Sequence, residues 1–141
     1  MKDKIFVLKI SLDKKIYRII EIEGGKSLYN LASAIVKAFG FDFDHAFGFY
    51  NNLKNQYDSD EIYELFIDME GPEPGKKGVK KVKICDVFEP KKKMLFLFDY
   101  GDDWMFLVEC KDLLDPTTKA KYPKVIEMVG KAPEQYPECE E

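Results

Sequence analysis

Several residue types are scarce in this 141-residue chain. It has one histidine, His45, one tryptophan, Trp104, and one arginine, Arg18. A lone histidine cannot build a histidine-rich zinc centre. Cys85, Cys110 and Cys139 are odd in number and far apart, and no two have metal-finger or redox spacing. A single arginine leaves little for bidentate reading of bases or phosphates. No G-x-S-x-G, H-E-x-x-H or phosphate-loop motif occurs. The "GGK" before Ser27 lacks the spacing of a phosphate-binding loop. No run approaches the roughly 18 apolar residues that span a bilayer. The opening "MKDKIFVLKISLDKK" does not read as a secretory signal, because Lys9 breaks its apolar run and no small-residue cleavage site follows. These absences predict a soluble cytoplasmic protein with reduced thiols and no membrane partner.

Apolar and aromatic residues are plentiful. Hydrophobic residues make up 45% of the chain and aromatics 14%, which is the composition of a foldable globular chain. The length predicts a single domain over 1–141, with a core from 5 to 135 and an acidic C-terminal tail. The net charge of −4 argues against a wholly basic nucleic-acid-binding surface.

Residues 5–12, "IFVLKISL", alternate with period two, and 15–22, "KIYRIIEI", are rich in β-branched residues. Only "DK" separates them, so they predict a hairpin. Ser27 is a good N-cap. Leu28, Leu31, Ile35 and Phe39 then recur at helical spacing up to Gly40. "HAFGFY" predicts a short strand and 51–60 a loop. In "EIYELFIDMEG", Ile62, Leu65, Phe66 and Met69 predict a helix capped by Asp58 or Asp60. "GPEPGKKGVKK" is a loop. "VKICDVFEP" fits either a strand or one helical turn, and the segment after Pro123 predicts at most a short helix.

The densest chemistry lies in "FLFDYGDDWMFLVE". A three-residue loop of Gly101, Asp102 and Asp103 sets Tyr100 opposite Trp104 and Phe98 opposite Phe106, with every large aromatic on one face. Asp99, Asp102 and Asp103 have the oxygen ligands that Mg²⁺ or Ca²⁺ takes. The plainer reading is that aspartates bond turn amides and Gly101 supplies unusual backbone geometry. Asp99 could also pair with Arg18 or a lysine across the sheet.

This stretch resembles the motif Y-D-F-G-D-x-W-x-H, followed by an apolar strand, of the plasmid pRiA4b ORF-3-like family. "IYRIIEI" resembles that family's opening strand, with Tyr17 where Trp is usual and then Arg18. "LYNLASAIVKAFGFDFDHAFGF" resembles its helix and following strand, with His45 matching the family histidine. "YPKVIEMVGKAPEQ" resembles its closing segment, so the likeness runs from about residue 5 to 135. The resemblance implies a protein found on plasmids and beside mobile elements, with no assigned catalytic activity. Two departures stand out. Phe106 replaces the histidine after the tryptophan, and Val125 and Ile126 stand where a cysteine often follows Tyr-Pro. Any polar or metal site those residues form elsewhere in the family is expected to be lost here.

Charge is uneven. Lys76, Lys77, Lys80, Lys81, Lys83, Lys91, Lys92 and Lys93 face only Asp86 and Glu89 within 76–93, so that segment carries +6 and the rest −10. Such a segment can attract an anion or nucleic acid; lysines guarding a sheet edge are the alternative.

The element order predicts an α+β, β-grasp-like fold: a mixed sheet of about five strands with one long helix packed on one face. The expected function is that of a non-catalytic interaction module with a protein partner and no cofactor. Its expected surface is Asp99, Tyr100, Gly101, Asp102, Asp103 and Trp104, with His45, Arg18 and the adjoining tail. Two other readings remain open: a metal-dependent hydrolase using the acidic turn, and a nucleic-acid accessory protein using the lysine segment.

Overall fold

A computed structural model of the chain describes residues 1–137; the acidic tail end, with Cys139, lies outside the described residues. The alternating segments form strands β1 (Ile5–Asp13) and β2 (Ile16–Glu23), joined as an antiparallel hairpin. Phe6, Leu8 and Ile10 of β1 and Ile20 and Ile22 of β2 are buried on one face. Helix α1 (Leu28–Ala38) covers that face with Leu28, Leu31, Ile35 and Val36. Ser27 caps it as expected. Its hydroxyl accepts from Asn30 N at 3.1 Å, while the Asn30 side chain accepts from Ser27 N. Gly40, at φ 74°, ends the helix in the left-handed region.

The strands β3 (Phe47–Tyr50), β4 (Ile62–Glu64), β5 (Lys93–Phe98) and β6 (Trp104–Leu114) and the helices α2 (Leu65–Glu70) and α3 (Ile84–Val87) come next. The helix predicted over 61–71 is therefore split. Ile62–Glu64 pair with β3, and the helix begins at Leu65 with Glu64 as its N-cap. Asp58 instead belongs to a short 3-10 turn, Gln56–Asp58. "ICDV" settles as one helical turn. After Pro123 the chain forms a strand, β7 (Lys124–Val129), where a short helix was predicted.

The sheet corrects the expected fold class. It has seven strands in the order β4-β3-β5-β6-β1-β2-β7, and every strand pairing is antiparallel. A mixed sheet of about five strands is not formed. The helices are small, at eleven, six and four residues, so the fold is mainly β and not a long helix on a β-grasp-like sheet. The physical reason is the length of β6. Its eleven residues pair with β5 along one edge and with β1 along the other. The β1–β2 and β5–β6 hairpins are thereby joined antiparallel through β1 and β6, and β7 then reverses once more beside β2.

The main core lies between the helices and this sheet and includes Phe47, Phe49, Phe96, Phe98 and Phe106. A smaller apolar cluster, Tyr50, Leu95 and Leu97 with Ile62 and Tyr100, sits apart from it. The β5–β6 hairpin keeps Phe96, Phe98, Trp104 and Phe106 in the main core, as the pattern predicts. The pairing differs: Phe98 lies opposite Trp104 and Phe96 opposite Phe106. The loop is therefore Asp99–Asp103. Asp99 and Asp103 adopt φ of 67° and 52°, and this turn carries Tyr100 into the smaller cluster instead of opposite Trp104.

Candidate functional site

The acidic turn is organised around Asp99, which is 6% exposed. Its Oδ1 accepts from Gly101 N at 3.0 Å and from Asp102 N at 3.3 Å. Its carbonyl accepts from Asp103 N, and its own N–H donates to Ala46 O. This carboxylate thus replaces backbone partners that the tight turn cannot supply, which is the usual role of aspartate in left-handed turn geometry. Asp102 and Asp103 are exposed. Among the described residues, no group of three His, Cys, Asp or Glu could hold a metal ion.

Behind the turn, distant segments converge on His45. Its Nε2 lies 3.4 Å from Asp99 Oδ2 and 2.6 Å from Tyr136 Oη. The Tyr136 hydroxyl donates to Asp44 Oδ2 at 2.8 Å. A phenol has one proton, so His45 Nε2–H must be the donor to Tyr136. Desolvation and the Asp44 hydrogen bond push the Tyr136 hydroxyl up to about 12. Gln135 fastens the tail beside it: its Oε1 accepts from Asp42 N at 2.7 Å, and its Nε2 donates to Asp42 O at 3.1 Å. The histidine proton is committed to the tail, so the arrangement works as a clasp that holds residues 135–136 against the hairpin turn.

A separate polar chain runs through the smaller cluster. The Tyr50 hydroxyl donates to Glu64 and lies 2.7 Å from the Tyr100 hydroxyl; Glu64 also pairs with Lys76 at 3.1 Å. Burial raises both phenols well above their ordinary range, and the Glu64 hydrogen bond raises Tyr50 further. Gly48 makes room for the two rings, since a Cβ there would stand 2.7 Å from each hydroxyl oxygen. Tyr100 is therefore tied to β3 and β4, away from His45.

Arg18 is also separate from the acidic turn. It is 3% exposed and donates only to carbonyls: Ala38 O from Nε, and Tyr17 O, Val129 O and Gly130 O from Nη1. Its guanidinium lies over the Phe39 ring. Burial lowers its pKa. Arg18 thus joins the C-terminus of α1 to the end of β7 and makes no contact with Asp99.

The lysine segment is partly neutralised. Lys76 pairs with Glu64 and Glu73, Lys92 with Glu61 at 2.8 Å, and Lys93 with Glu109 at 3.7 Å. Lys80 lies over the Tyr29 ring. Lys83 N–H donates to Asp86. Lys77 plays a backbone role: its N–H donates to Ile62 O and its carbonyl accepts from Glu64 N, closing the outer edge of β4. Lys81 and Lys91 are exposed.

The opposite edge of the sheet is different. Among the described residues, strand β7 pairs only with β2. Val125, Ile126 and Met128 are 42, 48 and 64% exposed. Opposite Ile19 and Ile20, β7 carries one extra residue, Ile126, in a bulge. Sequence reasoning missed this edge because the six residues after Pro123 show no strict period-two alternation. The β-branched Val125, Ile126 and Val129 were the available signal.

No helix among the described residues is long and apolar enough to cross a membrane. A comparison with curated proteins found no match. A similar solved structure is the crystal structure of a protein of unknown function, MM3350, from Methanosarcina mazei Go1. It shares 20% identity and a TM-score of 0.75, over 94% of this chain and 72% of that one. At that identity the likeness establishes a shared fold. The model of the plasmid pRiA4b ORF-3-like proteins matches residues 4–138. That match spans nearly the whole chain, and the chain belongs to the plasmid pRiA4b ORF-3-like protein family.

Proposed function

We propose that this protein is a non-catalytic interaction module whose partner adds a strand to β7. The observation that supports this is the asymmetry of the sheet edges. Lys77 closes β4, whereas among the described residues β7 presents an unpaired backbone edge with exposed Val125, Ile126 and Met128. An open apolar edge is a template for strand addition, in which main-chain hydrogen bonds supply affinity and alternate side chains supply selectivity. The acidic turn supports the same reading from the other side, because Asp99 is spent on its own loop amides and His45 on the tail. Pull-down from cell extract with the wild-type chain and with Ile126→Pro tests this. Proline takes a backbone donor out of β7, and circular dichroism verifies that the variant is folded. A partner retained by the wild type and lost by the variant is expected. Repeated recovery of nothing above background, or equal recovery by both, refutes the proposal.

A further inference from the structure

Beside β7 the sheet is not fully covered. Two adjoining grooves, each of about 240 Å³, run between α1 and the start of β7. Their floor is apolar, with Ile20, Ile22, Ala34 and Val125. Every ionisable side chain on their walls other than Tyr122 is a lysine: Lys26, Lys37 and Lys124. Lys124 is balanced by Glu21 at 3.4 Å. Lys26 and Lys37 are exposed and have no carboxylate partner among the described residues. A chain of net charge −4 thus gathers positive charge, uncompensated among the described residues, along an apolar trough. These lysines lie outside the basic segment 76–93 and meet only through folding.

The groove adjoins the open strand edge. Val125 pairs with Ile20, and Met128 with Arg18, both on the helix-covered face. A strand added beside β7 therefore places alternate side chains on this face, above the trough and next to Lys37. Resting on the strand-addition reading, we infer that the partner is an extended acidic segment of another protein, with apolar residues entering the trough and carboxylates meeting Lys26 and Lys37. A second copy of this chain fits less well. A two-fold joint sets like against like, so both basic rims would face one junction.

The test uses two fluorescein-labelled peptides, one of valine, isoleucine and glutamate and a counterpart with lysine for glutamate, titrated with the full chain by fluorescence anisotropy. The acidic peptide should bind, weaken as salt rises, and lose about tenfold affinity to the exposed double variant Lys26→Glu, Lys37→Glu. The lysine peptide should not bind. Circular dichroism verifies that the variant is folded. Equal binding of both peptides, binding of neither, or unchanged affinity in the double variant overturns the inference. So does self-association in ultracentrifugation that Ile126→Pro abolishes. Extract partners that depend on Ile126 but ignore Lys26 and Lys37 overturn the acidic-segment inference while strand addition stands. Acidic-peptide binding that survives Ile126→Pro overturns strand addition and, with it, this inference.

Discussion

Arg18→Met puts the tie between α1 and β7 to a quantitative test. Arg18 Nε donates to Ala38 O at 3.1 Å, and Nη1 approaches Tyr17 O, Val129 O and Gly130 O at 2.9–3.0 Å. Nη1 has two hydrogens for three acceptors, so about three full hydrogen bonds are lost. Bonds from a charged donor contribute roughly 1.5–3 kcal/mol each. Desolvating a buried guanidinium offsets several kcal/mol of that sum, leaving a net destabilisation of about 2–4 kcal/mol. Methionine replaces much of the apolar volume over Phe39, so packing changes little. Urea unfolding should show a midpoint lower by about 1–2 M at a similar slope. Arg18→Lys should recover less than half, because a point charge cannot reach the α1 terminus and the β7 carbonyls together. Amide exchange should quicken first in β7, which has no neighbour strand but β2 among the described residues. Burying an unpaired arginine can cost more than it returns, so an unchanged or higher midpoint for Arg18→Met refutes the reasoning.

Three other tests address the hairpin and the buried phenols. Asp99→Ala should cost about 1–2 kcal/mol in urea unfolding, because φ is 67° and the loop amides lose their acceptor; Asp99→Asn, which keeps both properties, should cost about 0.5 kcal/mol or less. Gly48→Ala should cost about 2–3 kcal/mol; in a Tyr100→Phe background the further loss should shrink by about 1 kcal/mol, and strict additivity would show that the hydroxyl is not what Gly48 accommodates. Stability should fall with rising alkalinity. The folded state holds Tyr50, Tyr63 and Tyr100 protonated above the ordinary phenol range, so above about pH 10 the unfolded chain binds fewer protons than the native one. The contribution is complete below that pH and lost above it. Tyr50→Phe should flatten the decline measured by urea midpoints from pH 8 to 11, and an identical slope in the variant argues against the assignment.

Local signals were legible in the sequence and non-local ones were not. Ser27, the Leu28–Ile35 stripe and Gly40 specify α1 through contacts a few residues apart, and the structure agrees. The alternation of 5–12 predicts β1 and its buried face. The hairpin was read half correctly. Period two placed Phe96, Phe98, Trp104 and Phe106 together, but the left-handed Asp99 lengthens the loop and moves every pair by two. The Ile62–Met69 pattern suits a helix, yet pairing with Phe49 and Lys77 draws Ile62–Glu64 into the sheet. The β-grasp-like expectation failed because nothing local announces that β6 runs beside β1. The His45–Tyr136 contact joins residues 91 apart, and the lysine-rimmed trough joins α1 to β7. Such sites follow from topology, which had first to be known.

The closed β4 edge has a consequence for bulk behaviour. A sheet with two free margins is bifunctional, like a monomer able to react at both ends, and can extend into a filament. Lys77 caps the β4 margin, which leaves β7 as the open one among the described residues. If a partner strand adds at β7 as proposed, that joint uses up the open margin, and edge-to-edge growth is expected to stop after a single addition.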